Sequence, residues 1–282
     1  MDYLRNKANI KNIKSNYILK KIFNNLEEKK SLKVIKINNN IKKNLNININ
    51  NYKEYSAKYS SIEIEIKIVN NEYGKFINIE KEDEIYYHIY FNNKKEEIKR
   101  NYIKKGEKVE NIKILINCQI KSLKDLFKYC SCIESINFKK LSWSNNIDDI
   151  SYMFCGCSSL KELNLNNFYF NNVTNINGMF WGCLSLKELN LNNFITNNVT
   201  SMSCMFYGCS SLKELNLNNF NTNNVTNMGY MFSGCSSLKE LNLNNFNTNN
   251  VGNMNGMFYE CSDELIMKIK NKYKNIREEA YY

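Results

Sequence analysis

Ten cysteines and a single histidine are the side chains of this chain with most capacity for chemistry. Two close pairs, Cys130 with Cys132 and Cys155 with Cys157, have spacings that would suit metal ligation or a disulfide. The wider pattern argues otherwise. Cys157, Cys183, Cys209, Cys235 and Cys261 recur every 26 residues, with Cys130 one unit earlier. They read as a ladder, one per unit, stacked about 5 Å apart with parallel Cβ vectors, an orientation poorly suited to disulfides. Buried free thiols serve as small apolar groups. His88 stands alone, so no triad or histidine-based metal site can be assembled. Glu162, Glu188, Glu214 and Glu240 form a second row, but Lys161, Lys187, Lys213 and Lys239 adjoin them and mark a solvated, neutral face. No phosphate-cradling glycine loop occurs. The expectation is a protein with no catalytic residues, no metal and no cofactor.

The elements that hold these residues come from the repeat itself. Copies of a 26-residue unit, MFSGCSSLKELNLNNFNTNNVTNM plus two variable residues, begin at Met153, Met179, Met205 and Met231, with a fifth broken off after Cys261. A unit of this length buries its apolar face only against its neighbours. In LKELNLNNF, Leu163 and Leu165 share one face of a short strand while Glu162, Asn164 and Asn166 share the other. The spacing of Val173, Ile176 and Phe180 predicts a short helix or 3₁₀ stretch, closed by Gly182 at positive φ. The same strand spacing at Ile133 and at Val109 extends the array to six coils, starting at 109, 133, 160, 186, 212 and 238.

Ahead of the array the pattern changes. Ile62, Ile64, Ile66 and Ile68 alternate with polar residues, as do Ile85, Tyr87, Ile89 and Phe91, so residues 51–108 read as a small β module. Lys105-Gly106 suggests a hairpin turn. Residues 1–50 carry 12 Lys and Arg against 3 Asp and Glu, yet these lysines alternate with Tyr17, Ile18, Ile22, Phe23 and Leu26 at helical spacing. A basic helical module is expected there, with a solvated face rather than a nucleic-acid site. The repeats from Met153 to Gly256 contain four lysines and four glutamates, so the array is neutral. Residues 262–282 should close the array with a helix through Leu265, Ile266 and Ile269.

The repeat motif, with MFxGC, SSL, LxxLxL and NVTNM, resembles leucine-rich repeats and, more closely, the 26-residue repeats of bacterial and mycoplasmal surface proteins called BspA-like. That resemblance implies a leucine-rich-repeat-like solenoid that binds proteins or host surfaces without catalysis. The run YILKKIFNNLEEKKSLKVIK is also similar to a degenerate F-box, without its Leu-Pro opening or later Trp. The fold class expected is α/β: a right-handed parallel solenoid over 109–261, an N-terminal helical plus antiparallel β module, and a C-terminal capping helix over 262–282. The function expected is a non-enzymatic protein–protein interaction scaffold, monomeric, with a protein partner. An F-box-type ubiquitin-ligase adaptor and a surface adhesin are the alternatives. The first residues contain no apolar stretch of signal-peptide length and the chain no transmembrane segment, which points to the cytoplasm; a surface location is the alternative. Nearly every repeat position is invariant from unit to unit, so partner-binding candidates come from the few variable columns: Trp181, Tyr207 and Tyr259 in one, Tyr230 in a second, Tyr169 in a third.

Overall fold

The computed structural model describes residues 62–282, except 117–121, 141–146 and 169–171. The basic and F-box-like module over 1–50 lies outside the described residues. The described elements are β1 (Ile62–Ile68), β2 (Gly74–Lys75), β3 (Tyr87–Phe91), β4 (Glu97–Ile98), β5 (Tyr102–Ile103), β6 (Asn111–Ile116), β7 (Ile133–Lys140), β8 (Glu162–Asn164), β9 (Glu188–Leu189), β10 (Glu214–Leu215) and one α-helix, α1 (Asp263–Lys272). Two short 3₁₀ turns lie at Glu84–Tyr86 and Glu278–Tyr281.

The alternating IEIEIKI of β1 puts Ile62, Ile64, Ile66 and Ile68 on a buried face and its charged residues on the other. That strand sits at the middle of a six-stranded sheet ordered β4-β3-β6-β1-β7-β8. Four of the five pairings are antiparallel, and only β7 with β8 is parallel. On the polar face, ion pairs cross the strands from Glu63 to Lys113 (2.5 Å), Glu65 to Lys139 (3.1 Å) and Lys67 to Glu134 (2.9 Å), and on from Glu134 to Lys161 (3.1 Å). Such exposed pairs are worth about 0–1 kcal/mol each, so they favour this register more than they add stability.

Three expectations are corrected here. The α/β class with a parallel leucine-rich-repeat solenoid does not hold: among the described residues the chain is mostly strand and turn with a single α-helix, and its main sheet is largely antiparallel. The parallel array does not begin at Val109, because β6 pairs antiparallel with β1 and β3, and β1 separates it from β7. The short helix or 3₁₀ stretch expected in each unit gives way to separate tight turns. From Gly178 to Cys183 the N–H groups alternate in direction: Gly178, Phe180 and Gly182 donate to Ser203, Met205 and Tyr207 of the next unit, at 2.7–2.9 Å. Met179, Trp181 and Cys183 instead donate three residues back, at 3.0–3.3 Å. A helix would need all of these donors for itself. Left-handed residues at Gly178 (φ 56°) and Gly182 (φ 70°) break it further. Two smaller differences sit in the β module. Ile85 is an exposed member of a 3₁₀ turn and not part of β3, and the turn at Gly106 joins β5 to β6, which pair with other strands.

The units nevertheless stack one on the next. Parallel bridges link Ser122, Asp149, Asn175, Ser201, Asn227 and Asn253 in sequence. Phe127, Phe154, Phe180, Phe206, Phe232 and Phe258 form a buried column with nearly parallel rings and centroids 5.5–5.8 Å apart. Both ends are closed. At the first unit, the Asn78 side chain donates to the carbonyls of Asp125 (2.8 Å) and Lys128 (2.9 Å), and its backbone N–H donates to Leu126 (2.7 Å). At the last, the N–H groups of Gly256 and Phe258 donate to Glu279 (2.8 Å) and Ala280 (2.7 Å), and Tyr281 stacks on Phe258 at 5.9 Å. Residues 278–281 thus take the place of a next unit. Helix α1 begins with Ser262 as N-cap, accepting from the Leu265 N–H at 3.3 Å, and buries Leu265 and Ile269. Deleting residues 262–282 would bare the Phe258 ring and those donors, and is expected to cause aggregation in size-exclusion chromatography; a soluble monomer with an intact melting transition would contradict this role.

Candidate interaction surface

Each unit holds two left-handed positions, four residues apart. The second is Gly156, Gly182, Gly208 or Gly234 in successive units, flanked at the two ends by Tyr129 and Glu260. The first is Tyr152, Gly178, Cys204, Tyr230 or Gly256, all with φ of 54–58°. Three residues beyond that first position lies the column Cys155, Trp181, Tyr207, Ser233, Tyr259. Taken together the two columns compensate. Where the left-handed residue is Tyr152 or Tyr230, its partner is small (Cys155, Ser233). Where it is Gly178, Cys204 or Gly256, its partner is Trp181, Tyr207 or Tyr259. Five consecutive units therefore carry one aromatic ring each, drawn from one column or the other.

The rings from four of these units touch in order. Tyr152 and Trp181 lie 6.3 Å apart at 43°, Trp181 and Tyr207 5.0 Å apart at 53°, and Tyr207 and Tyr230 6.4 Å apart at 61°. Exposure is 38% for Trp181, 43% for Tyr230 and 45% for Tyr259, while Tyr207 and Tyr152 are half-buried. Glycine in the following unit makes room for the two left-handed tyrosines. A Cβ at Gly178 would lie 2.4 Å from the Tyr152 ring, and one at Gly256 2.5 Å from the Tyr230 ring. At the first end Lys128 reaches over the Tyr129 and Tyr152 rings, at 5.7 and 4.9 Å, while paired with Asp125 at 2.9 Å. Burial raises the Tyr152 phenol above its ordinary value, so it remains a protonated donor at neutral pH.

Of the residues singled out by sequence, Trp181, Tyr207 and Tyr230 come together in this row. Tyr259 follows one unit further on, and Tyr169 lies outside the described residues. Tyr152 belongs with them and was not singled out. The signal for Tyr152 was present: it precedes Met-Phe as Tyr230 does, and a small residue follows three places later in both.

The cysteine ladder is built differently from a stack of inert apolar groups. The thiols of Cys157, Cys183, Cys209, Cys235 and Cys261 donate to the carbonyls of Phe127, Phe154, Phe180, Phe206 and Phe232 one unit back, at 3.0–3.2 Å. All nine described cysteines are free thiols. Burial pushes Cys209 and Cys261 up to about 12 and Cys183 and Cys235 well above the ordinary thiol value, which leaves these groups unreactive. Among the described residues no cluster of three or more His, Cys, Asp or Glu is placed to hold a metal. His88 Nδ1 sits 2.9 Å from the Glu97 carboxylate on the half-exposed side of β3. No described helix is long and apolar enough to cross a membrane.

These features define a tandem-repeat protein with a spent interior and an aromatic surface row. The chain belongs to the family described as Mycoplasma protein of unknown function, DUF285, whose model matches residues 101–194, 121–215 and 185–275. No curated protein and no solved structure matches it.

Two outcomes follow from the packing. Gly178→Ala should cost about 1–3 kcal/mol in urea unfolding, because a side chain at φ 56° also meets the Tyr152 ring; pairing it with Tyr152→Ala should recover the steric share of that loss. The buried thiols bind their protons more tightly in the folded state than in the unfolded. Their stabilisation is therefore complete below the ordinary value of 9.0 and declines as pH rises from there toward about 12. The melting temperature should fall over that range, and less steeply in a Cys209→Ala/Cys261→Ala variant; equal slopes would refute the assignment.

Proposed function

We propose that this chain is a non-enzymatic interaction scaffold whose row of Tyr152, Trp181, Tyr207, Tyr230 and Tyr259 binds a protein partner. The observation that carries the reading is the compensation between columns. Drift at loosely constrained positions would scatter rings and small residues independently, whereas here each of five units retains one ring. Trp and Tyr supply much of the energy at protein interfaces, and rings held by neighbouring units lose little freedom on binding. The remaining invariant residues of the unit are occupied as core, as turn or as hydrogen-bonded Asn ladders, such as Asn193 and Asn245 donating to the carbonyls of Asn166 and Asn218. The BspA-like resemblance, with its implication of protein or host-surface binding, supports the same reading.

An affinity pull-down with the full chain, read by mass spectrometry, tests this. Trp181→Ala and Tyr207→Ala should each deplete a specific captured protein while leaving the melting temperature within a few degrees of the parent. An unchanged capture set in both variants would remove the row from the interface.

A further inference from the structure

We infer that the partner segment received by the aromatic row is an uncharged, proline-rich stretch in the polyproline II conformation. The inference rests on the reading of the row as a protein-binding surface and adds the chemistry of what it binds.

The first observation is charge. The segments around the middle rings Trp181, Tyr207 and Tyr230, residues 175–186, 201–212 and 227–238, contain no charged side chain; Asp149 and Glu260 stand in the two end units of the row, and the Lys and Glu that follow each segment, such as Lys187 and Glu188, balance in sign. A charged ligand segment would lose hydration here with nothing to replace it.

The second is hydrogen bonding. The backbone N–H groups of these turns are committed, alternately to the next unit and three residues back, so the face has no ladder to offer an added β-strand. It does offer side-chain donors: the Tyr hydroxyls and the Trp181 indole N–H. Proline has no N–H, and a polyproline II helix makes no internal hydrogen bonds, so its carbonyls remain as acceptors. Donors without a ladder match acceptors without a ladder.

The third is shape. Neighbouring rings are inclined by 43–61°, so the row is stepped rather than flat. A stepped aromatic row suits pyrrolidine rings, as aromatic-lined grooves do for proline-rich segments. The periods also agree. One polyproline II turn advances about 9 Å, close to the span of about two units at the usual strand spacing. A helix lying along the stack therefore returns the same face to every second ring. The chain contains no proline, so none of its own segments supplies this ligand.

The test is calorimetric titration of the full chain with an end-blocked polyproline peptide of about ten residues. A Gly-Ser peptide of the same length and a soluble uncharged glucan serve as comparisons. Saturable binding of the polyproline peptide alone is expected, weakened about tenfold or more by Trp181→Ala and by Tyr207→Ala at unchanged melting temperature. The inference is overturned if the folded protein does not bind the peptide, if both variants bind it undiminished, or if the glucan binds at the row in its place. Partner capture that depends on Trp181, alongside no polyproline binding, would leave the protein-binding reading standing and dismiss the polyproline chemistry alone.

Discussion

The structure depends on where each unit sends its backbone N–H groups. In the turn from Gly178 to Cys183, alternate donors leave for the next unit and the rest close tight turns, so every unit is bonded both to itself and to its successor. Leaving a buried backbone donor unpaired costs free energy comparable to a lost hydrogen bond. That penalty explains the two left-handed residues per unit, since a right-handed helix would draw all the donors inward. It also explains the cysteines. Each thiol reaches back to a Phe carbonyl of the preceding unit while presenting a small apolar body to the core, a combination that few other side chains offer.

A stack bonded in this way has to be ended at both faces. At the start, Asn78 satisfies three carbonyls of the first turn with one residue, and β1 covers the open side of β7 by pairing antiparallel to it. At the finish, the 3₁₀ turn Glu278–Tyr281 supplies the acceptors and the ring that a further unit would have brought. Tyr273 adds to this closure by accepting from the Leu243 N–H at 2.9 Å. The ends therefore imitate the middle using sequence unrelated to it. Repeat arrays generally need such terminal elements because an uncovered end exposes the continuous core.

With interior and ends so fully committed, variation is left to the outer rim of the turns. There the two columns trade a ring for a small residue, and Tyr152 and Tyr230 project onto glycines of the following units. Rings held by the backbone in this manner are rigid and partly exposed, properties of a preorganised binding surface. Elsewhere the outer surface carries ion pairs such as Lys161 with Glu134 and an amide ladder such as Asn242 with Asn218, both well solvated.

Several features were legible in the sequence alone. The 26-residue period, the alternation in β1, the buried Leu and Phe of each unit, positive φ at Gly182 and the helix after Ser262 follow from local rules of periodicity, pleating and capping. Four of the row's residues, Trp181, Tyr207, Tyr230 and Tyr259, could be picked out by comparing units. What the sequence could not decide was the destination of hydrogen bonds between distant residues. The spacing of Val173, Ile176 and Phe180 fits a helix and a stacked turn equally well, and only contact with Ser203, Met205 and Tyr207 selects the turn. The leucine-like spacing at Val109 fits a parallel coil, yet β1 intervenes and turns β6 antiparallel. Tyr152 shares the local pattern of Tyr230, but its place beside Trp181 is set by the left-handed backbone and the ring contact. Local pattern determines which faces are apolar; the pairing of donors and acceptors across units is settled by the whole stack, because a backbone N–H can serve one geometry only.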